Sequence, residues 1–309
     1  MSSRLYRAIG LMSGTSMDGV DAALIETDGE AHIRPLANAS RAYDEETRAA
    51  IRDAVAQALQ EDVPRHGTPY DALSRRLTMI HAEAVGALGA AADIVGFHGH
   101  TIAHRPDRGW TWQIGDGALL AQLLRTEVVD DLRSADVAAG GQGAPLLPAY
   151  HRALATGQQR PLGILNLGGV GNLTWLGQGG EIIAFDTGPG NALIDDWVRE
   201  ATGASYDQDG TLAARGTAHE EILATMLDID WFDRSPPKSL DRQDFSLAAV
   251  RGLTAEDGAA TLTAFTAMTV VQAMRHVPRR PQRLLVTGGG RHNSTLMQEI
   301  ARRTGITSL

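Results

Sequence analysis

Five short stretches of glycine and small polar residues carry most of the chemistry open to this chain: "SGTSMDG" (13–19), "GGQGAP" (140–145), "NLGGVGN" (166–172), "DTGPGN" (186–191) and "TGGGRHN" (287–293). Most follow apolar runs that read as strands. Glycine lets main-chain N–H groups come close to an anion, and the hydroxyls of Thr15 and Ser16 add donors, so such turns suit phosphate oxygens. None contains the Gly-Lys-Ser/Thr of a P-loop, and none completes G-x-G-x-x-G. A hairpin turn or a helix C-cap explains any one of them. Five in one chain, several of them ending strands, point to a phosphate-bearing ligand.

Around these turns stand side chains of a second kind. Asp186 ends the apolar run "IIAF" and enters a Gly-Pro-Gly loop, which puts a carboxylate at the carboxyl end of a strand, where open α/β sheets hold ligands. Capping the helix that begins near Asn191 is the rival role, but five residues is too far, and Thr187 or Asn191 would cap better. Asp18 in the first turn is either ordinary hairpin chemistry or a Mg²⁺ ligand acting through water. Asp21 falls in the strand after it, where burying a carboxylate is costly unless it faces a cleft. Arg133 in "DDLRSAD" offers a fork for a carboxylate, or pairs with Asp130 or Asp136 at the surface. His98 and His100 share one face of a strand, with no further ligand pattern to make a metal site. Lys238 is the only lysine, all other long basic side chains being arginine, which reflects either chance or a role that arginine cannot fill.

The elements that must position these residues alternate between strand and helix. Strands are expected at 6–12, 20–26, 94–97, 127–130, 162–167, 173–176, 182–185 and 284–287. The first two form a hairpin and are apolar enough to be mostly buried. Helices are expected at 44–59, 70–91, 192–202, 255–276 and 294–304, the second because Leu73, Leu77, Ile80, Ala84 and Leu88 recur at steps of three and four. This is an α/β chain with mixed sheets. With 309 residues it is long enough for about two domains. The boundary is expected near Asp130, giving 1–130 and 131–309, because the glycine-rich, non-periodic segment begins there.

Composition narrows the class. Apolar residues at 43% and charged residues at 21% fit a folded globular protein. A net charge of -9 argues against a nucleic-acid backbone or an anionic membrane surface as main partner. The absence of cysteine removes disulfides, zinc-thiolate sites and thiol nucleophiles. No apolar run approaches the roughly 18 residues of a membrane span, and the first residues do not form a signal peptide, so a cytoplasmic location is expected.

The motifs "GLMSGTSMDGVDAALIE", "GFHGHTIAH", "TWQIGDGALLA", "DLRSADVAAGGQGAPLLPAYH", "LNLGGVGNLTWL", "FDTGPGNALIDDWV", "DQDGTLAARG" and "LLVTGGGRHNSTLM", in this order, resemble those of the anhydro-N-acetylmuramic acid kinases. The resemblance implies the two-domain, actin-like ATPase fold of the sugar kinase, Hsp70 and actin superfamily, with ATP and Mg²⁺ as cofactors. It implies that 1,6-anhydro-N-acetylmuramic acid is opened by water at its anhydro bridge while O6 takes the γ-phosphoryl group of ATP, giving N-acetylmuramic acid 6-phosphate in cell-wall recycling. Such chemistry needs a carboxylate to activate water, as in an inverting glycoside hydrolase, and donors for the phosphoryl charge. By resemblance Asp186 is that base, and Gly14, Thr15, Ser16, Met17, Asp18, Gly19, Val20 and Asp21 form the phosphate turn, with Asp18 toward the metal. Gly168, Gly169, Gly288, Gly289 and Asn293 go to the nucleotide, with Asn293 also a natural N-cap. His98, Arg133, Gly188 and Asn191 go to the sugar, Arg133 to its lactyl carboxylate. The resembling motif has Gln where this chain has His100. The family also points to a homodimer.

After the last helix "GITSL" reads as the start of a strand, and the family resemblance implies a further strand and a glutamate-bearing helix beyond it. A chain ending at Leu309 is therefore expected to leave an apolar patch bare and to be poorly stable and weakly active. Two other readings stay open from sequence: another sugar kinase of the same superfamily, and a non-catalytic nucleotide-binding relative.

Overall fold

The computed structural model describes residues 4–14, 16–60, 70–240 and 244–306. The chain divides into two compact units, residues 1–144 and 145–309. The division follows the glycine-rich segment, whereas the sequence places it before. Arg133 explains the difference, donating to the carbonyl of Gly143 and to the ring of His98, so that this segment is fastened to the first unit.

The first unit is built on β1 (Tyr6–Ser13), β2 (Gly19–Thr27), β3 (Ile33–Ala42), β4 (Ile94–Arg105), β5 (Trp110–Ile114) and β6 (Glu127–Val129). Their order is β3-β2-β1-β4-β5, with β6 also on β4. The first three pair antiparallel, while β4 runs parallel to β1 and β6 and antiparallel to β5. In β2, Val20, Ala22 and Leu24 are buried while Asp21 and Ala23 face out. This period of two makes the opening hairpin half-buried, not mostly buried as its apolar content suggests. The inward face packs on α1 (Glu45–Gln60) and α2 (Tyr70–Ala87) through Ile51, Leu73 and Leu77. The second helix stops short of the expected Ala91, where Gly89 turns left-handed at φ 62°. The polar run after Phe97 continues β4 instead of ending it. Two short helices, α3 (Gly117–Leu124) and α4 (Ser134–Ala138), complete the unit.

The second unit carries a four-stranded sheet of β7 (Leu162–Leu167), β8 (Val170–Leu176), β9 (Ile182–Pro189) and β10 (Arg283–Thr287), ordered β10-β7-β8-β9. Only β10 and β7 are parallel. Both faces are covered. Leu162, Ile164 and Leu176 pack with Ala155, next to α5 (Pro148–Leu154), while Leu165, Leu167, Leu173 and Phe185 join the larger core. That core is filled by α6 (Ala192–Thr202), α9 (Ala255–Ala273) and α10 (Ser294–Thr304), with α7 (Glu220–Leu227) and α8 (Asp230–Asp233) at its rim. After its acidic first turn, helix α9 is mostly alanine, threonine and larger apolar residues and is buried nearly all round, as such a composition requires. Each unit is thus a mixed sheet with flanking helices, the α/β class expected from the sequence. No helix of the described residues is long and apolar enough to cross a membrane.

Candidate active site

The first turn presents main chain more than side chain. The amide of Met17 donates to the carbonyl of Gly14 at 3.0 Å, and Met17 itself sits in the left-handed region at φ 60°, where a non-glycine residue is strained. Its side chain turns inward onto the core, which leaves Ser16 and Asp18 exposed. Gly19 is dictated by backbone contact: a Cβ there would lie 2.1 Å from the carbonyl oxygen of Arg41 on β3. Val20 is 1% exposed, so among the turn residues it has only main chain to offer a ligand. Asp21 is on the outer face of β2 and accepts a 2.6 Å bond from Ser40 Oγ, which removes the cost of a buried carboxylate raised by the sequence. Thr15 lies outside the described residues.

A buried polar chain lies at the base of the turn. Ser13 Oγ is 2.7 Å from Tyr43 Oη and 2.7 Å from His100 Nδ1. Burial, with His98 adding to it, lowers the His100 pKa to about 4, so the ring is neutral at neutral pH, and its Nε2 has no partner among the described residues. His98 is brought together with Arg133, as the sequence grouped them. Its Nδ1–H donates to the carbonyl of Gly99 at 2.9 Å and its Nε2 accepts from Arg133 Nε at 2.9 Å. With both nitrogens engaged, the ring holds the guanidinium. Burial and then the Arg133 charge push the His98 pKa down to about 4, which keeps Nε2 an acceptor.

In the second unit three predicted loops converge. Asp186 lies on the edge strand β9, 6% exposed, opposite Asn172 and beside a bulge at Thr187 of the same strand. Its amide donates to the carbonyl of Lys238 at 3.1 Å, and its Oδ2 accepts from the amide of Leu240 at 2.8 Å. The loop after it is pinned to the β7–β8 turn: the amides of Gly190 and Asn191 donate to the carbonyls of Gly169 and Gly168, each at 2.9 Å. A Cβ on Gly190 would lie 2.1 Å from the oxygen of Gly168, so glycine is obligatory there. Asn191 donates to Asp195 on α6, while its Oδ1 and the hydroxyl of Thr187 are buried without hydrogen-bond partners among the described residues. Gly288 backs onto the other side of that turn, its position allowing no Cβ against the carbonyl of Leu167, while Gly289 faces open space. Asn293 caps α10 by accepting from the amide of Leu296 at 2.9 Å.

Sequence reasoning missed the supports. Beneath the Asp186 loop, Thr266 Oγ1 on α9 donates to the carbonyl of Gly190 at 2.8 Å, and Thr269 packs under Gly188. The recurrence of threonine in an otherwise alanine-rich helix was the available signal. Next to α10, Ser294 and Thr295 donate to the carbonyls of Asp209 and Gly210, both at 2.7 Å, so the "DQDG" motif buttresses the start of α10 just after the 287–293 loop. Among the described residues no group of three or more His, Asp or Glu side chains forms a metal cage. A single exposed Asp18 fits a cation that keeps most of its water and binds mainly through phosphate oxygens.

A family model described as anhydro-N-acetylmuramic acid kinase matches residues 6–309. A protein of that name from Rhizorhabdus wittichii is 62% identical, the alignment covering 97% of this chain and 84% of the relative. Others are 52% identical in Zymomonas mobilis, over 94% of this chain and 83% of the relative, and 53% in Rhodospirillum rubrum, over 97% and 80%. Among solved structures, a glucokinase of the ROK family from Streptomyces griseus gives a TM-score of 0.41 at 15% identity, over 97% of this chain and 88% of the other. A xylulose kinase from Rhodospirillum rubrum gives 0.38 at 14%, over 97% and 85%.

Proposed function

The chain belongs to the anhydro-N-acetylmuramic acid kinase family, and from that premise we propose that it uses ATP to open and phosphorylate 1,6-anhydro-N-acetylmuramic acid, with Asp186 as the base that activates water. The family's place in the sugar kinase, Hsp70 and actin superfamily accounts for a chain of two mixed-sheet units. The observation that carries the residue assignment is the hold on Asp186. Its carboxylate accepts a main-chain N–H at 2.8 Å in a loop locked on both sides, which fixes its aim.

The carboxylate takes a proton from water as the water attacks the anomeric carbon; the bond from that carbon to O6 breaks, and the freed O6 attacks the γ-phosphoryl group, whose bond to the bridging oxygen breaks so that ADP leaves. Main-chain amides of Gly14, Ser16, Asp18 and Gly19, with the hydroxyls of Thr15 and Ser16, are assigned to the phosphates, and Met17, whose amide closes the turn onto the carbonyl of Gly14, holds its shape. Val20 and Asp21 support the turn from β2. Asp18 would hold Mg²⁺ through water. Mg²⁺, when bound, neutralises charge on the transferred phosphoryl group. Gly168, Gly169, Gly288, Gly289 and Asn293 are assigned to the nucleotide, and Gly188 and Asn191 to the sugar ring. Arg133, held by His98, is aimed at the lactyl carboxylate. We place the enzyme in the cytoplasm and as a homodimer.

The test is Asp186→Asn. Turnover of the anhydro sugar is expected to fall on the order of 10²- to 10⁴-fold, the range for a lost general base, with ATP affinity unchanged. Wild-type turnover in the variant, or loss of ATP binding with it, would return Asp186 to a structural role.

A further inference from the structure

We propose that Lys238 is a positioning residue for Asp186, an inference that rests on the assignment of Asp186 as the base. Lys238 is the only lysine of the chain, and it is 6% exposed. Its Nζ donates to the carbonyls of Trp231 at 3.2 Å and Phe232 at 3.0 Å, both in the four-residue helix α8, where the Trp231 carbonyl also accepts from the amide of Arg234 and the Phe232 carbonyl from His276 Nε2 at 2.7 Å. It also lies 4.4 Å from the centre of the Trp231 ring and 3.3 Å from His276 Nε2. With His276 Nε2 donating to the Phe232 carbonyl, the cage offers a compact ammonium two carbonyl acceptors and an aromatic face. A planar guanidinium, longer and forked, does not fit two carbonyls and an aromatic face at these distances.

The main chain of the same residue does different work. Strand β9 is the edge of its sheet, and residues 238–240 run along that open edge. The carbonyl of Lys238 receives the amide of Asp186, and two residues on, the amide of Leu240 meets the Asp186 carboxylate. A segment along a sheet edge frays unless it is held from more than one side. Anchoring the Lys238 side chain fixes the segment from the other side, and with it the carboxylate. Lys238 touches neither water nor sugar in this scheme; it acts through the backbone.

The experiment uses the full chain with Lys238→Met, Lys238→Arg and Asp186→Asn, assayed well below each melting temperature with 1,6-anhydro-N-acetylmuramic acid and ATP. Lys238→Met is expected to lower kcat on the order of 10- to 100-fold, the cost of misplacing a reacting group by about 1 Å, with KM for ATP within about twofold of wild type. Lys238→Arg is expected not to rescue it. Wild-type kcat in Lys238→Met, or rescue by arginine, would overturn the proposal, as would a fall in ATP affinity equal to the fall in kcat. Lys238→Gln replaces Met if that variant fails to melt cooperatively; if neither folds, the role is structural and the proposal fails. Asp186→Asn separates the two claims, because normal turnover there removes the base assignment itself, whereas its loss beside an active Lys238→Met removes only the positioning role.

Discussion

The turn between β1 and β2 and the loop between β9 and α6 are both rich in glycine, yet they are built to opposite ends. The first exposes Ser16 and Asp18, and its last glycine is forced by a neighbouring strand at the margin of a sheet. The second is buried, pinned to the β7–β8 turn, floored by threonines of α9 and edged by residues 238–240. The turn proposed here to receive the phosphates would work through many main-chain dipoles, which tolerate open surroundings. A carboxylate that must meet one water at one angle needs an over-determined setting.

The contrast extends to titration, and pH is its severest test. His81, His98 and His100 of the first unit each have a pKa lowered from 6.5 to about 4, burial being the main cause. Between those values the unfolded rings bind protons and the folded ones do not, so stability falls as pH drops through the window. Each pH unit costs about 1.4 kcal/mol for each ring kept neutral. Lys238 in the second unit works in another range. Burial lowers its pKa from 10.5 to about 8, so the unfolded state holds the extra proton between them and stability rises with pH. Hydrogen exchange resolved by peptide should show the first unit opening first below pH 6; simultaneous loss of protection in both would break the distinction.

Glycine replacement comes next. Gly190→Ala places a Cβ against the Gly168 carbonyl, which the amide of Asn191 holds in place, and a loss of about 3 kcal/mol is expected in the free energy of unfolding by denaturant, together with loss of turnover. Gly19→Ala meets an equally close carbonyl, but β3 is an edge strand and can yield, so about 1 to 2 kcal/mol is expected. Equal costs would show that edge position does not matter here. The smallest effect is at the α10 cap: Asn293→Ala should cost about 1 kcal/mol in the melt and weaken ATP more than sugar. Weakening of the sugar alone would move Asn293 out of the nucleotide group.

Segments whose partners are local were legible in the sequence. Strand β7 and helices α6 and α10 fall at the expected residues because their apolar period and caps are short-range signals. Strand β3 was not foreseen, since an edge strand with most residues exposed shows no alternation, and β5 was hidden among turn residues. The polar run after Phe97 suggested a strand end, but hydrogen bonds of His98 and His100 let β4 carry them inside. In the candidate site, Asp186 stood out by its place before a Gly-Pro-Gly loop. The amide that holds it comes from Leu240, 54 residues away, and no local pattern announces a contact of that range. Lys238 gave a compositional hint only, and the cage that explains it is tertiary.

One practical result follows from a lone lysine shut in a cage of carbonyls and aromatic rings. Amine-directed reagents find a single side-chain target in the sequence, and that target is 6% exposed. The rate at which Lys238 becomes acylated or reductively methylated therefore reads out how often α8 parts from its neighbours. It gives an intrinsic clock for local opening beside the proposed base, with no added cysteine and no dye.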